Sequence, residues 1–249
     1  NKLYQPDTEV VGDISDSLLR LAFKCIPKEE PKEALKIKEM LVQEYEQWRE
    51  DVSFPVKPQK LLYDIRRIMG PDDIVISDVG AHKMWISRHY NCYKPQTCLI
   101  SNGFASMGMA VPGAVAAKLV DPNRRVLAIA GDGGFLMNCQ EMETAVRLGV
   151  PIVVLIVNDG SYGLIKWKQE DRFGFHCDVD FGNPDFAAMA ESMGVKGFRL
   201  NRTEDLIPTL EEAFEAGRPA IIDCPIDYRE NTKLTSHLKE VMEKLKMGE

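Results

Sequence analysis

Val126-Leu-Ala-Ile-Ala-Gly-Asp-Gly-Gly134 and Ile152-Val-Val-Leu-Ile-Val-Asn-Asp-Gly-Ser161 decide the fold. Each opens with a short apolar run rich in β-branched residues and closes in an acidic, glycine-bearing turn. Between Gly133 and Asn158 lie 24 residues, which read as an amphipathic helix over 136–148 and then the second strand. A strand, a helix and a strand joined so closely form a βαβ unit, whose strands are parallel and neighbouring. Both acidic turns then sit at the carboxyl ends of adjacent strands, where open α/β sheets bind ligands.

Outward from this unit the alternation continues. Helices are expected over 59–69, 82–90, 104–119, 163–170, 184–193, 203–216 and 232–246, and strands over 74–78, 97–100, 125–130, 196–199 and 220–224. The implied fold class is α/β: a doubly wound, mostly parallel six-stranded sheet with helices on both faces, preceded by the tail of another domain. Residues 1–27 read as that tail. Pro6 to Asp13 suggests a short strand and turn and 15–23 one short helix, too little to bury an apolar face of its own. Residues 28–58 read as a helical linker with Leu35, Met40, Leu41, Tyr45 and Trp48 as its stripe, ending in Phe54-Pro-Val-Lys-Pro58. Residues 59–249 form the main domain.

The chain has 249 residues, 45% hydrophobic and 28% charged, enough for a full core. Its net charge of −7 argues against a nucleic-acid partner, which needs a basic footprint. Six scattered cysteines without a CxxC pair read as reduced core thiols. No signal peptide and no apolar run near the ~20 residues of a membrane helix is visible, so the expectation is a cytoplasmic protein without a membrane partner. The first residue is Asn1 rather than Met, which suggests a fragment or a processed product.

Asp132 and Asp159 are the first candidates for chemistry. Either turn alone is ordinary Asp-Gly turn chemistry. On sequential parallel strands the pair also suits a hard cation such as Mg²⁺, which takes one or two carboxylates, a backbone carbonyl near Ser161, and phosphate oxygens. The dinucleotide fingerprint G-x-G-x-x-G fails, because Leu136 stands where the third glycine belongs and an acid separates the first two. In Ser77-Asp-Val-Gly80-Ala-His82 a strand ends, Gly80 turns and His82 opens a helix, whose first N–H groups attract phosphate. An N-capping turn with an incidental His is the plain alternative. Met107, in Ser101-Asn-Gly-Phe-Ala-Ser-Met107-Gly108, reads either as core or as a ligand contact. Tyr162-Gly163-Leu164 through Phe175 is a glycine-hinged aromatic segment, a lid or an ordinary surface helix. His89 and His176 read as structural or solvent-facing.

Together these residues resemble the thiamine-diphosphate enzymes, whose signature is GDG, some two dozen residues, and an Asn- or Asp-bearing turn: here Gly131-Asp-Gly133 and Asn158-Asp-Gly160. Val79-Gly80-x-His82-x-Met84-Trp85, Ser101-Asn-Gly103 with Met107-Gly108, Gly133-Gly-Phe135 with Glu141-x-Glu143-Thr-Ala145, and Asp223-Cys-Pro-Ile-Asp-Tyr228 look like acetolactate synthase. The likeness covers most of residues 59–230.

The resemblance implies the following. Asp132, Asp159 and the Ser161 carbonyl would hold Mg²⁺. Gly80, His82, Gly131, Gly133, Gly134 and the Tyr162, Gly163 and Leu164 backbone would contact thiamine diphosphate. Met107 would sit under the cofactor and enforce its bent shape, which makes its activation intramolecular. Asp at 159, where many relatives have Asn, resembles the FAD-independent catabolic type. Lys168 falls at the substrate pocket, where biosynthetic relatives tend to have Trp and catabolic ones Gln. The family's catalytic glutamate lies on an N-terminal pyrimidine-binding domain and is not found in this chain, so that domain is an implied partner, usually in a homodimer or homotetramer. The implied activity is decarboxylation of pyruvate and transfer of the two-carbon unit to a second 2-keto acid, as in branched-chain amino acid biosynthesis. A non-ligating 2-keto acid decarboxylase of the benzoylformate or sulfopyruvate type, and an inactive fragment, are the alternatives.

Overall fold

The computed structural model describes residues 5–26, 29 and 31–234. The chain divides into two compact units, Asn1–Gln43 and Glu44–Glu249. In the first, helix α1 (Ile14–Lys24) is capped by Asp13, whose carboxylate accepts the Asp16 amide at 2.9 Å. The short strand expected at Pro6 to Asp13 does not form; these residues are exposed and without regular structure. Helix α2 spans Lys32–Glu46.

The second unit continues with α3 (Pro58–Ile68), β1 (Ile74–Ser77), α4 (Ala81–His89), β2 (Cys98–Ile100), α5 (Ala110–Val120), β3 (Val126–Gly131), α6 (Asp132–Met137), α7 (Glu141–Arg147), β4 (Val153–Asn158), α8 (Gly163–Phe173), α9 (Phe186–Ser192), β5 (Lys196–Arg199), α10 (Leu206–Glu215) and β6 (Ala220–Pro225). The expected helix over 232–246 falls almost wholly outside the described residues. The six strands form one sheet in the order β2-β1-β3-β4-β6-β5, and every pairing is parallel.

Alternation along the strands builds the two layers. Leu127 and Ile129 of β3, with Val153, Leu155 and Val157 of β4, join α3, α4 and α10 in one core. Val126, Ala128 and Ala130, with Val154 and Ile156, join α5, α6, α7 and α9 in the other. Successive strand residues point to opposite faces, and helices cover both, so the strands carry continuous apolar runs. After β1 the chain moves to β2 on one side and returns to β3 on the other. This reversal places the crevice at the carboxyl ends of β1 and β3.

Three local readings need correction. The helix expected over 136–148 is two helices broken at Asn138, whose side chain donates to the Gly108 carbonyl at 2.8 Å. The helix expected from 104 begins only at Ala110, because Asp78 accepts the Gly108 amide at 2.9 Å and holds Gly108 at φ 85°. Of the six cysteines, all free, only Cys224 is buried; the rest are exposed or half-exposed rather than core thiols. In the Pro-bearing segment before α3, Val56 is fully buried and forms an isolated parallel bridge to Ile226, just past the end of β6.

Candidate functional site

The loops after β1, β3 and β4, with the segment before α5, enclose a cavity of about 260 Å³. Gly80, His82, Met107, Gly131, Asp132, Gly133, Gly134, Asp159, Ser161, Tyr162, Gly163 and Leu164 all line it. Lys168 does not: it is exposed on α8, one turn beyond Leu164 on the same helix face.

Asp132 knits the two acidic turns together. Its Oδ1 accepts the Gly133 amide at 2.8 Å, and its Oδ2 accepts the Gly160 amide and the Asn183 side-chain amide, each at 2.7 Å. Burial still raises its pKa above the usual carboxylate range. Asp159 accepts the Ser161 hydroxyl at 2.8 Å, and burial together with the Asp132 charge pushes its pKa up to about 6. Residues 179–181 run antiparallel beside this turn: Tyr162 N–H donates to the Val179 carbonyl and Phe181 N–H to that of Gly160, each at 2.9 Å. Neither bond uses the Ser161 carbonyl.

On the β1 side, the His82 ring is buried, its Nε2 has no partner among the described residues, and desolvation lowers its pKa to about 4. The imidazole is therefore neutral at pH 7; its one N–H is engaged with the Asp78 backbone carbonyl, which leaves Nε2 facing the cavity as an acceptor. It lies over Gly80, where an added Cβ would fall 2.7 Å from the ring. Likewise a Cβ at Gly133 would meet the Tyr162 ring at 2.8 Å, and one at Gly163 the Asp159 carboxylate at 2.6 Å. Side chains are excluded here, so the backbone itself forms the wall.

Asn183 is a side chain of this site that the sequence analysis does not single out. It donates to both Asp132 and Asn158, at 2.7 and 2.9 Å, and its Oδ1 is buried without a partner among the described residues. Asp78 and Tyr228 were also passed over as site-forming residues. Asp78 fixes the loop before α5 through the Gly108 and Met109 amides, and Tyr228 lines the cavity. No local pattern marks Asn183, which stands in an irregular stretch.

The donor set fits a magnesium-held diphosphate. No Lys or Arg lines the cavity among the described residues, but two carboxylates do. An anion meets them favourably only through a divalent cation. No cluster of three His, Cys, Asp or Glu ligands occurs among the described residues, as zinc would want, whereas Mg²⁺ is content with few carboxylates.

A family signature described as "Thiamine pyrophosphate enzyme, C-terminal TPP binding domain" matches residues 78–224, from the buried Asp78 to the last core strand. The chain belongs to the thiamine pyrophosphate enzymes. Among curated members of this family, it is 37% identical to "Acetolactate synthase" of Bacillus subtilis (strain 168), over 94% of this chain and 42% of that protein. It is 33% identical to "Acetolactate synthase, catabolic" of Raoultella terrigena, over 96% of this chain and 44% of that protein. It is 30% identical to the mitochondrial acetolactate synthase catalytic subunit of Saccharomyces cerevisiae, over 92% of this chain and 34% of that protein. The chain thus spans less than half the length of these relatives. No helix among the described residues is long and apolar enough to cross a membrane.

Proposed function

We propose that this chain is the diphosphate-binding portion of an acetolactate synthase of the catabolic type, acting on pyruvate and a second 2-keto acid. The observation that carries this reading is the pairing of Asp132 and Asp159 in a cavity that no Lys or Arg among the described residues lines, in a chain whose relatives include acetolactate synthases. Asp132, Asp159 and the Ser161 carbonyl would hold Mg²⁺. His82 would meet a diphosphate oxygen through Nε2, taking the tautomer protonated there, beside the N-terminus of α4. Gly131, Gly133, Gly134 and Gly163 would let the backbone approach, and Met107 would support the cofactor from below. Thiamine diphosphate supplies the electron sink that lets a 2-keto acid lose CO₂.

The other half of the site would come from an N-terminal pyrimidine-binding domain, in a homodimer or homotetramer. Residues 59–249 would be the diphosphate domain, 28–58 its connection and 1–27 the tail of a middle domain. Lys168, one turn from Leu164, would meet the carboxylate of the acceptor. Product analysis tests the reaction. The enzyme carrying this domain, given pyruvate, thiamine diphosphate and Mg²⁺, should release acetolactate; acetaldehyde as the main product would favour a simple decarboxylase.

A further inference from the structure

The Asp132 carboxylate ends a chain of four polar side chains that begins on another strand. Asp223, buried on β6, accepts the Asn158 side-chain amide at 2.8 Å. Asn158, the last residue of β4, turns its Oδ1 the other way and accepts Asn183 Nδ2 at 2.9 Å. The same nitrogen donates to Asp132 Oδ2 at 2.7 Å. Asn183 is itself held from both sides. Phe181 N–H donates to the Gly160 carbonyl at 2.9 Å, the Tyr162 and Phe181 rings pack with centroids 4.9 Å apart, and Asp185 caps α9 through the Ala188 amide at 3.0 Å.

The far end fixes the direction of this chain. A carboxylate accepts, so Asp223 draws the Asn158 NH₂ group to itself and leaves the Asn158 oxygen facing Asn183. Asn183 must answer with its own NH₂ group, and that group is what meets Asp132. Its Oδ1 goes without a partner among the described residues while both N–H bonds are used. The fold therefore keeps this residue for its donors.

A carboxylate offers about four lone-pair sites. Asp132 Oδ2 fills two of them, with the Gly160 amide and Asn183, and Oδ1 fills one, with the Gly133 amide. One site on Oδ1 remains. We propose that Asn183 is a positioning residue for the cation: aligned through Asn158 by Asp223, it occupies Asp132 Oδ2 and leaves Oδ1 as the oxygen that takes Mg²⁺. This rests on the reading of Asp132 as a Mg²⁺ ligand. Without Asn183 the carboxylate is free to turn about its Cβ–Cγ bond, and the cation meets a ligand that is no longer set in place.

The test is Mn²⁺ binding by the full 249-residue chain with thiamine diphosphate present, followed by loss of the free-ion EPR signal. Circular dichroism and urea midpoints accompany each variant. The unmutated chain should bind Mn²⁺ and Asp132→Ala should lose it. Asn183→Ala should weaken binding about 10–100-fold, the usual cost of removing a hydrogen bond behind a metal ligand. Asp223→Leu should weaken it too, whereas Asp223→Asn, which keeps an acceptor oxygen for Asn158, should retain it. A merely structural Asn183 would lower the urea midpoint and leave the Mn²⁺ affinity of the folded chain unchanged. Unchanged affinity in Asn183→Ala, or Asp223→Asn binding as weakly as Asp223→Leu, overturns the proposal. An unmutated chain that binds no Mn²⁺, or an Asp132→Ala chain that binds it equally well, overturns the Mg²⁺ reading and the proposal with it.

Discussion

The Asp132 carboxylate reaches out of its own turn and accepts the amide of Gly160 in the next one, at 2.7 Å. A single side chain thus sets the spacing of the two acidic turns. The bond forms because β3 and β4 are adjacent and in register, Gly131 against Val157, so that both turns leave the sheet at one level. Asn183 tightens the same contact from a third segment.

Gly134 tests how closely this region is packed. A Cβ there would run into the Asp78 carboxylate, which cannot swing away because the Val79, Gly108 and Met109 amides hold it. Gly134→Ala should cost about 1–3 kcal/mol, read from denaturant midpoints. Gly182→Ala is the control, since its Cβ would meet nothing within 4 Å. Equal midpoints for the two variants would contradict the crowding.

His82 gives a pH dependence with a defined sign. Its folded pKa lies near 4 against an ordinary 6.5, so the unfolded chain binds the proton first. Its contribution to stability is complete above about pH 6.5 and is lost as pH falls toward 4, up to about 3 kcal/mol. Urea titrations across this window should show a shallower acid slope for His82→Gln. An unchanged slope would mean that the ring is protonated as easily in the fold as outside it.

Lys168 tests acceptor choice. In the complete enzyme, Lys168→Gln should change the ratio of kcat/KM for pyruvate and 2-ketobutyrate as acceptors by more than about twofold, or ~0.4 kcal/mol. A ratio that stays within that limit means that Lys168 does not set acceptor choice.

The missing half of the site sets the rate. If the aminopyrimidine's carboxylate lies on another domain, this chain alone should turn over pyruvate about 10²–10⁴-fold more slowly than the enzyme containing that domain. Adding the separately expressed domain should restore part of the rate. Near-full acetolactate synthesis by this chain alone would place the acid–base group within it.

The sheet was legible because its strands are buried on both faces and so read as unbroken apolar runs between helical periods. Most of the cavity-lining residues were legible because they stand in the glycine-bearing turns that follow β1, β3 and β4. What escaped was long-range. The helix break at Asn138 and the late start of α5 depend on bonds to partners some 30 residues away, Asn138 to Gly108 and Asp78 to Gly108. Local propensity does not register such bonds. Asn183 was hidden for the same reason, since its partner Asp132 is 51 residues distant. The expected strand at Pro6 to Asp13 failed because an isolated strand without a pairing partner is not stable.

The central claim is that the two acidic turns bind a diphosphate only through a divalent cation. Calorimetric titration of the chain with thiamine diphosphate, once in Mg²⁺ and once in EDTA, tests it directly, with Asp132→Ala alongside. Binding should appear in Mg²⁺, vanish in EDTA and be lost in the variant; at ligand near 100 Kd it should also stabilise the fold by about 2.7 kcal/mol. Equal binding in EDTA, undiminished binding by Asp132→Ala, or no binding in either buffer would contradict it.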